Sequence, residues 1–598
     1  MDETRNSLYN AQPIAGKQFV EEVEWLKREC DRRMVTDYVT WCDEIIAYCP
    51  LEWLESAERE KAKKSIGDEI QGQNLSIGTR RILHLARSLL IEREFFRAAF
   101  FFDKIKLESA ECMFLFFWSK YLAFQRVKLE DDAESLENKA HEKDTDADMR
   151  ELLTVVEEHI DRGQFKQDPF LILIQCLIEL NVGLRDEARK RLTRLVRIEP
   201  RLWPAWKELA ALVANIQEVE LIVQVIGKDS QWMCDLFASL ALSRLHQYDR
   251  ARRRVESLSL RGLSMLPIIT TQMAVCASGD HDHATAIRHF NAVRHMDPYR
   301  IDCINTYCDS LYVEGERALI ADLAHTLFKY HKYRWETCNV VGNYYSQRGE
   351  RENAIRFFQR ALRLNPNLVC VWVLIGHEFM ERKNVSAACL AYRRAIEIDE
   401  NDYLGWYSLG QAYDILKMES FALYYYQQAH KCRPNDSRMI VPLGEIYKRL
   451  NRPADAEKCF AAAYIIGDVE GNAAWNLATL YKVMYEDDHA AMVYKKILDD
   501  LDREPKEVSG AETNRLKYVE CLLYLARTEL KKENLDQAEY YANRCTQNEL
   551  TSMEGNYILR EIIERRKAKQ ASTTETTINT TGEEDMMIEE GDDDIIED

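Results

Sequence analysis

The sequence predicts an all-α solenoid of helix pairs, and three observations carry that expectation. One pattern of small and large residues returns every 34 residues from Trp335 to about Leu501. Proline and glycine are scarce, at 12 and 22 among 598 residues, so little interrupts helix formation. No stretch alternates Val, Ile or Thr with the period of two that a strand would show.

The clearest copy reads Trp406, Leu409, Gly410 and Tyr413, then Ala422, Tyr426 and Ala429, closing at Pro434. The first four fall at i, i+3, i+4 and i+7 on one helix face, and the next three share a face of a second helix. Earlier copies hold Trp372, Ile375, Gly376, Phe379, Ala388, Tyr392 and Ala395, then Cys338, Val341, Gly342, Tyr345, Ala354, Phe358, Ala361 and Pro366. Later ones run through Leu443, Gly444 and Phe460, then Leu477, Ala478 and Tyr494. This is the spacing of the tetratricopeptide repeat, a helix–turn–helix unit that buries its stripes by stacking on its neighbours into a superhelix. The aromatic stripe is therefore core. Gly410 with Ala422 and Gly376 with Ala388 stand where paired helices approach closely, and Pro366 and Pro434 end second helices.

In chain order, residues 1 to about 65 are expected to be helical, with Trp25, Leu26, Val39, Ile45 and Ile46 as apolar positions. A polar, glycine-containing break follows at 66–78. The frame returns weakly at Ile82, Leu85, Ala86, Leu89, Ala98 and Phe102, and a very apolar helix contains Phe114 to Phe117. Residues 128–150 are charge-dense without a stripe and read as a loop inserted between repeats. Ala188, Leu192 and Leu195 end one copy, Trp206 and Leu209 start another, and Met273, Ala286 and Phe290 mark a third. Residues 301–334 keep the frame in degraded form. An insertion at 502–514 precedes a last pair with Leu522, Leu525, Ala538 and Ala542. Length over period predicts about 13 to 14 helix pairs. The expected division is an irregular block over 1–300, a regular groove-bearing block over 301–552, and a helix end and acidic tail over 553–598.

Composition narrows the function. Residues 570–598 hold eleven Asp or Glu and no Lys or Arg, so they supply −11 of the net −20 and leave −9 to the rest. Such a tail is expected to be disordered and dispensable for folding. Thr580 and Thr581 each have a glutamate three positions on, a spacing that acid-directed phosphorylation uses. The acidic balance argues against nucleic acid as a partner. No run nears the roughly 20 apolar residues of a membrane span, and Asp2 and Glu3 with no apolar run predict no signal peptide. The sixteen cysteines contain no C-x-x-C, which predicts reduced thiols and no metal or other cofactor. Asp280-His281-Asp282-His283 falls in the turn of its repeat and reads as a solvated loop. No phosphate-binding loop, nucleophile elbow, metalloprotease or dinucleotide motif is present, and the chain is read as not an enzyme.

Positions 5, 9, 12 and 13 of each first helix should point into the concave groove, because 7, 8 and 11 are occupied with packing. Those positions and their neighbours hold Asn339, Asn343, His377, Glu378 and Glu381. They continue with Tyr407, Gln411, Asp414 and Glu445. The set is carboxylate, amide and aromatic, without Lys or Arg. It suits a guanidinium, which pairs bidentately with carboxylate and stacks on tyrosine.

The strings CNVVGNYYSQRGERENAIRFFQRALRLNP, GHEFMERKN, GQAYDILKM and RPNDSRM, all within residues 335–470, closely resemble one family: the Cdc23-type subunit, subunit eight, of the anaphase-promoting complex. The resemblance is strong over roughly a quarter of the chain. It implies a scaffold without catalytic residues in a multisubunit ubiquitin ligase of mitosis, working in the nucleus and cytoplasm. It also implies two copies paired through their N-terminal halves, and contacts with the other subunits of the complex. The groove would receive peptides of small subunits and an Asp-Arg-Tyr motif of the activator, with Asn343 and Glu378 foremost. A sister repeat subunit of the same complex is the nearest alternative. A cochaperone clamp would need groove lysines that this frame lacks, and no catalytic domain follows the repeats as in a glycosyltransferase.

Overall fold

The 34-residue period of the sequence reappears in the backbone. A computed structural model of the chain describes residues 16–55, 77–135, 145–162, 168–226, 231–434, 436–468, 471–503, 512–547 and 551–584. His281, Gly315 and Gly349 take positive φ, and so do Lys383, Lys417, Asn451 and Tyr485, each 34 residues after the last. They sit in the tight turn between the two helices of a repeat. Glycine adopts this conformation freely, whereas a residue with a Cβ spends about 1 kcal/mol on it. Five of the seven carry a side chain, so stacking rather than turn preference holds the geometry.

The described residues contain helices and no strand. In chain order the helices make fourteen successive pairs and a final helix. Trp203–Leu212 and Ile216–Ile226 depart from the rule, each packing on Gln231–Arg244. The chain divides into two compact units, Met1–Pro366 and Asn367–Asp598.

In the first unit the helices Gly16–Arg32 and Thr36–Ala47 pack far along their own chain. Phe19 meets Trp232 with ring centroids 4.6 Å apart, Trp41 stacks on Trp203 at 5.2 Å, and Glu22 accepts the Trp232 indole N–H at 2.8 Å. Phe114 to Phe117 are all buried, at 3% exposure or less. An apolar cluster of this kind can be either local core or surface for a partner copy. Here it is core, with Phe114 against Trp118 and Phe170, because Ala110–Ser135 is enclosed on several sides and needs no polar face.

The charged loop expected over 128–150 is largely helix. Ala110–Ser135 continues through its first residues and Thr145–Arg162 begins before its end. Exposed charge here solvates a helix face and pairs along it, as Arg126 does with Glu130 at 2.8 Å. Residues 136–144 lie outside the described residues, as do 1–15 and most of the breaks expected at 66–78 and 502–514.

In the second unit, Val369–Glu381 pairs with Val385–Ile398, Tyr403–Ile415 with Glu419–Cys432, and Ser437–Arg449 with Pro453–Ile466. The close approach predicted at the glycines is made to an aromatic ring. A Cβ on Gly410 would lie 2.8 Å from Tyr426, and one on Gly444 would lie 2.6 Å from Phe460. The final helix, Ser552–Glu584, anchors Ile558 and Ile562 in the core. It continues into the segment read as tail, whose residues 585–598 lie outside the described residues.

Candidate peptide-binding groove

The first unit places Asn339 and Asn343 on the helix Trp335–Gln347, both buried, at 1% and 2% exposure. Each reaches one repeat back. Asn339 Nδ2 donates to Asn305 Oδ1 at 3.2 Å, and Asn343 Nδ2 donates to Asp309 Oδ1 at 3.2 Å, with Cys308 Sγ at 3.5 Å. Asn305 and Asp309 stand on Ile304–Glu314, 34 residues before their partners. Burial pushes the Asp309 carboxyl up to about 7, and the Asn343 amide pulls it the other way. Asp309 keeps part of its surface, so it is the carboxylate this helix offers, while Asn343 positions it. Sequence analysis missed Asp309. A step of one period back from Asn343 would have found it.

In the second unit, His377 Nδ1 lies 3.0 Å from the Tyr392 hydroxyl, and desolvation lowers its pKa below the usual histidine value. Glu378 on the same helix is buried at 5% exposure, and Glu381 is exposed. Tyr407 lies against Tyr426 at 5.6 Å between centroids. Gln411 is exposed, and Glu445 accepts from Asn476 Nδ2 at 3.0 Å.

The groove set was read as free of cations, yet Asp414 is ion-paired with Arg449, whose guanidinium also lies 3.7 Å from Glu419. Arg449 occupies position 13 of the following repeat and reaches back across the boundary, which a within-repeat frame does not show. Tyr407, Asp414, Glu445 and Arg449 thus gather around Tyr426. Burial first, then the first three of these neighbours, raise the Tyr426 phenol, and Arg449 opposes them.

The Asp280–His283 stretch is a turn, with Asp282 capping the next helix through the Thr285 N–H at 3.1 Å. Among the described residues no group of three or more His, Cys, Asp or Glu is placed to hold a metal, and no helix is long and apolar enough to cross a membrane.

Stacked helix pairs with polar residues repeating along their first helices define a tetratricopeptide-repeat protein. Two models of that repeat match residues 335–368 and 371–402. A family model described as anaphase promoting complex subunit 8 / Cdc23 matches residues 45–260. The chain is 41% identical over 629 residues to the cell division cycle protein 23 homolog of Caenorhabditis elegans, covering 98% of this chain and 92% of that protein. It is 38% identical over 465 residues to anaphase-promoting complex subunit 8 of Arabidopsis thaliana, covering 77% of each. The crystal structure of the APC/C hetero-tetramer Cut9–Hcn1 aligns with a TM-score of 0.53 at 16% identity, over 92% of this chain and 98% of that one, a likeness of fold. The chain belongs to the anaphase-promoting complex subunit 8/Cdc23 family. The family model falls on the irregular N-terminal block, where the general repeat pattern is weakest, and not on the strings that first carried the resemblance.

Proposed function

We propose that this family member is a non-catalytic scaffold of an anaphase-promoting complex, and that the inner faces of its regular repeats bind short arginine-containing peptides, including one from the activator. The observation that carries the reading is the Asp309–Asn343 pair, a carboxylate held on a first helix by a buried amide. Such a carboxylate suits a guanidinium. Glu378 and Tyr407 offer the same chemistry in the second unit. Peptides of small subunits would use the same faces.

The irregular N-terminal block is proposed to pair two copies of the chain. Ile91, Phe96, Phe100 and Leu107 are each more than half exposed there, and monomers rarely leave such surface in water. None of the sixteen cysteines is joined in a disulfide, which fits a reducing nuclear or cytoplasmic setting.

Purifying a tagged chain from dividing cells tests the scaffold reading. Ubiquitin transfer should accompany the assembled complex and be absent from the isolated chain. Transfer by the isolated chain, or a chain that leaves no subunit of the complex bound, would contradict it. Light scattering of the isolated full chain should give twice its monomer mass.

A further inference from the structure

Away from the groove residues, the helix Arg317–Tyr330 carries Arg317, Ala321, Ala324 and Phe328 along one side. Tyr344 of the next helix lies beside it and borders two adjoining hollows. One, of about 250 Å³, is walled by Phe328, Val341, Tyr345 and Phe357. Its walls hold one another: Tyr345 stacks on Phe357 at 5.5 Å, and Phe328 meets Phe357 edge-on at 6.4 Å. The other, of about 440 Å³, opens between Arg317 and Arg348.

The rim is aromatic and basic. Phe328, Tyr330 and Tyr333 are 38%, 51% and 74% exposed. Lys332 lies 5.3 Å from the Phe328 ring centroid, Lys329 5.1 Å from Tyr330, and Arg360 5.5 Å from Tyr333. These cations rest on aromatic rings. Among the described residues, none of Arg317, Lys329, Lys332 and Arg360 makes an ion pair. Residues 317–360 hold eight Lys or Arg against four Asp or Glu, in a chain of net charge −20. This is a local positive field on an acidic protein, centred on an apolar hollow.

We infer that this strip docks a linear acidic segment of a partner protein, one that inserts a single bulky aliphatic or aromatic anchor into the hollow walled by Phe328, Val341, Tyr345 and Phe357. Its carboxylates flank the anchor and pair with Arg317 at one end and with Lys329 and Lys332 at the other. The eleven steps from Arg317 to Phe328 span roughly 16 Å at the helical rise, a length that about five extended residues cover. The apolar hollow supplies hot-spot burial, and the rim supplies steering and register. Nucleic acid fits less well. A phosphate backbone would meet the repulsion of a strongly acidic chain.

Selection from a random-peptide display library on the full-length chain tests this. Besides the arginine-containing class expected of the groove, recovered peptides should include a class with Asp or Glu on both sides of a Leu, Ile, Met, Phe or Trp. The affinity of this acidic class, read by fluorescence anisotropy, should fall about tenfold or more on Phe328→Ala, the usual size for a central anchor contact. It should also fall on the double reversal Arg317→Glu with Lys329→Glu, and weaken with added salt. Arg317 and Lys329 are exposed, so the reversal leaves the helical circular dichroism in place and reads the surface alone. The absence of that acidic class, or acidic peptides that bind wild type and both variants equally, would overturn the inference. So would a single-stranded oligonucleotide that binds the strip more tightly than the selected peptides.

Discussion

Asn343 donates its side-chain N–H to Asp309, one repeat earlier, at 3.2 Å, and Asn339 makes the same 34-residue step to Asn305. The two amides tie adjacent first helices together on the side where the sequence places the groove. Asp309 lies half-buried beside them.

Asp309 makes stability pH-dependent in a defined direction. Its ordinary value is 3.8, and burial raises it to about 7 in the folded chain. The folded state therefore keeps a proton that the unfolded state has lost, so stability falls as pH rises from about 4 to about 7 and levels off above. Asp309→Asn removes the penalty and can still accept from Asn343. Its melting temperature should exceed that of wild type at pH 8 by more than at pH 5. A gap independent of pH would show that Asp309 is not desolvated.

Asn343→Ala should cost about 1–3 kcal/mol, because it strips the Asp309 carboxylate of a buried donor. The sequence alone suggested a purely functional residue, and the 2% exposure assigns it a structural part as well. Urea denaturation measures this directly. An unchanged midpoint would mean that water replaces the amide.

Gly410→Ala should destabilise by about 1–3 kcal/mol, a usual size for overpacking. The new methyl would fall 2.8 Å from the Tyr426 ring, which is itself 2% exposed and has no room to withdraw. Gly315→Ala meets nothing within 4 Å but keeps φ at +77°, so its cost comes from the backbone alone. Comparing the two melting temperatures separates packing from turn strain. Equal costs would contradict the packing argument.

Deleting residues 570–598 should leave the melting temperature unchanged, since Ile558 and Ile562 hold the last helix to the core. A drop of several degrees would show that the acidic segment contributes to the fold.

The repeat frame was legible because its physics is local. The i, i+3, i+4 spacing of Trp406 to Tyr413 and the glycine–aromatic pairs recur with the period itself. What escaped was contact across a repeat boundary. Arg449 on Asp414, Asp309 under Asn343 and Phe19 against Trp232 depend on how separate repeats are set against one another. No pattern within one repeat encodes that arrangement. Phe114 to Phe117 stayed ambiguous for the related reason that an apolar helix looks the same whether core or a partner covers it.

The central claim is tested most directly by titrating the full-length chain with an Asp-Arg-Tyr-containing activator peptide, and with the same peptide carrying Ala in place of Arg. Losing one partner of a desolvated charge pair typically costs about 2–5 kcal/mol. Binding should therefore weaken more than tenfold for the Ala peptide and for the Asp309→Asn and Asn343→Ala variants, with the helical signal intact. Equal affinity of the two peptides for wild type, or affinity unchanged in both variants, would contradict the account.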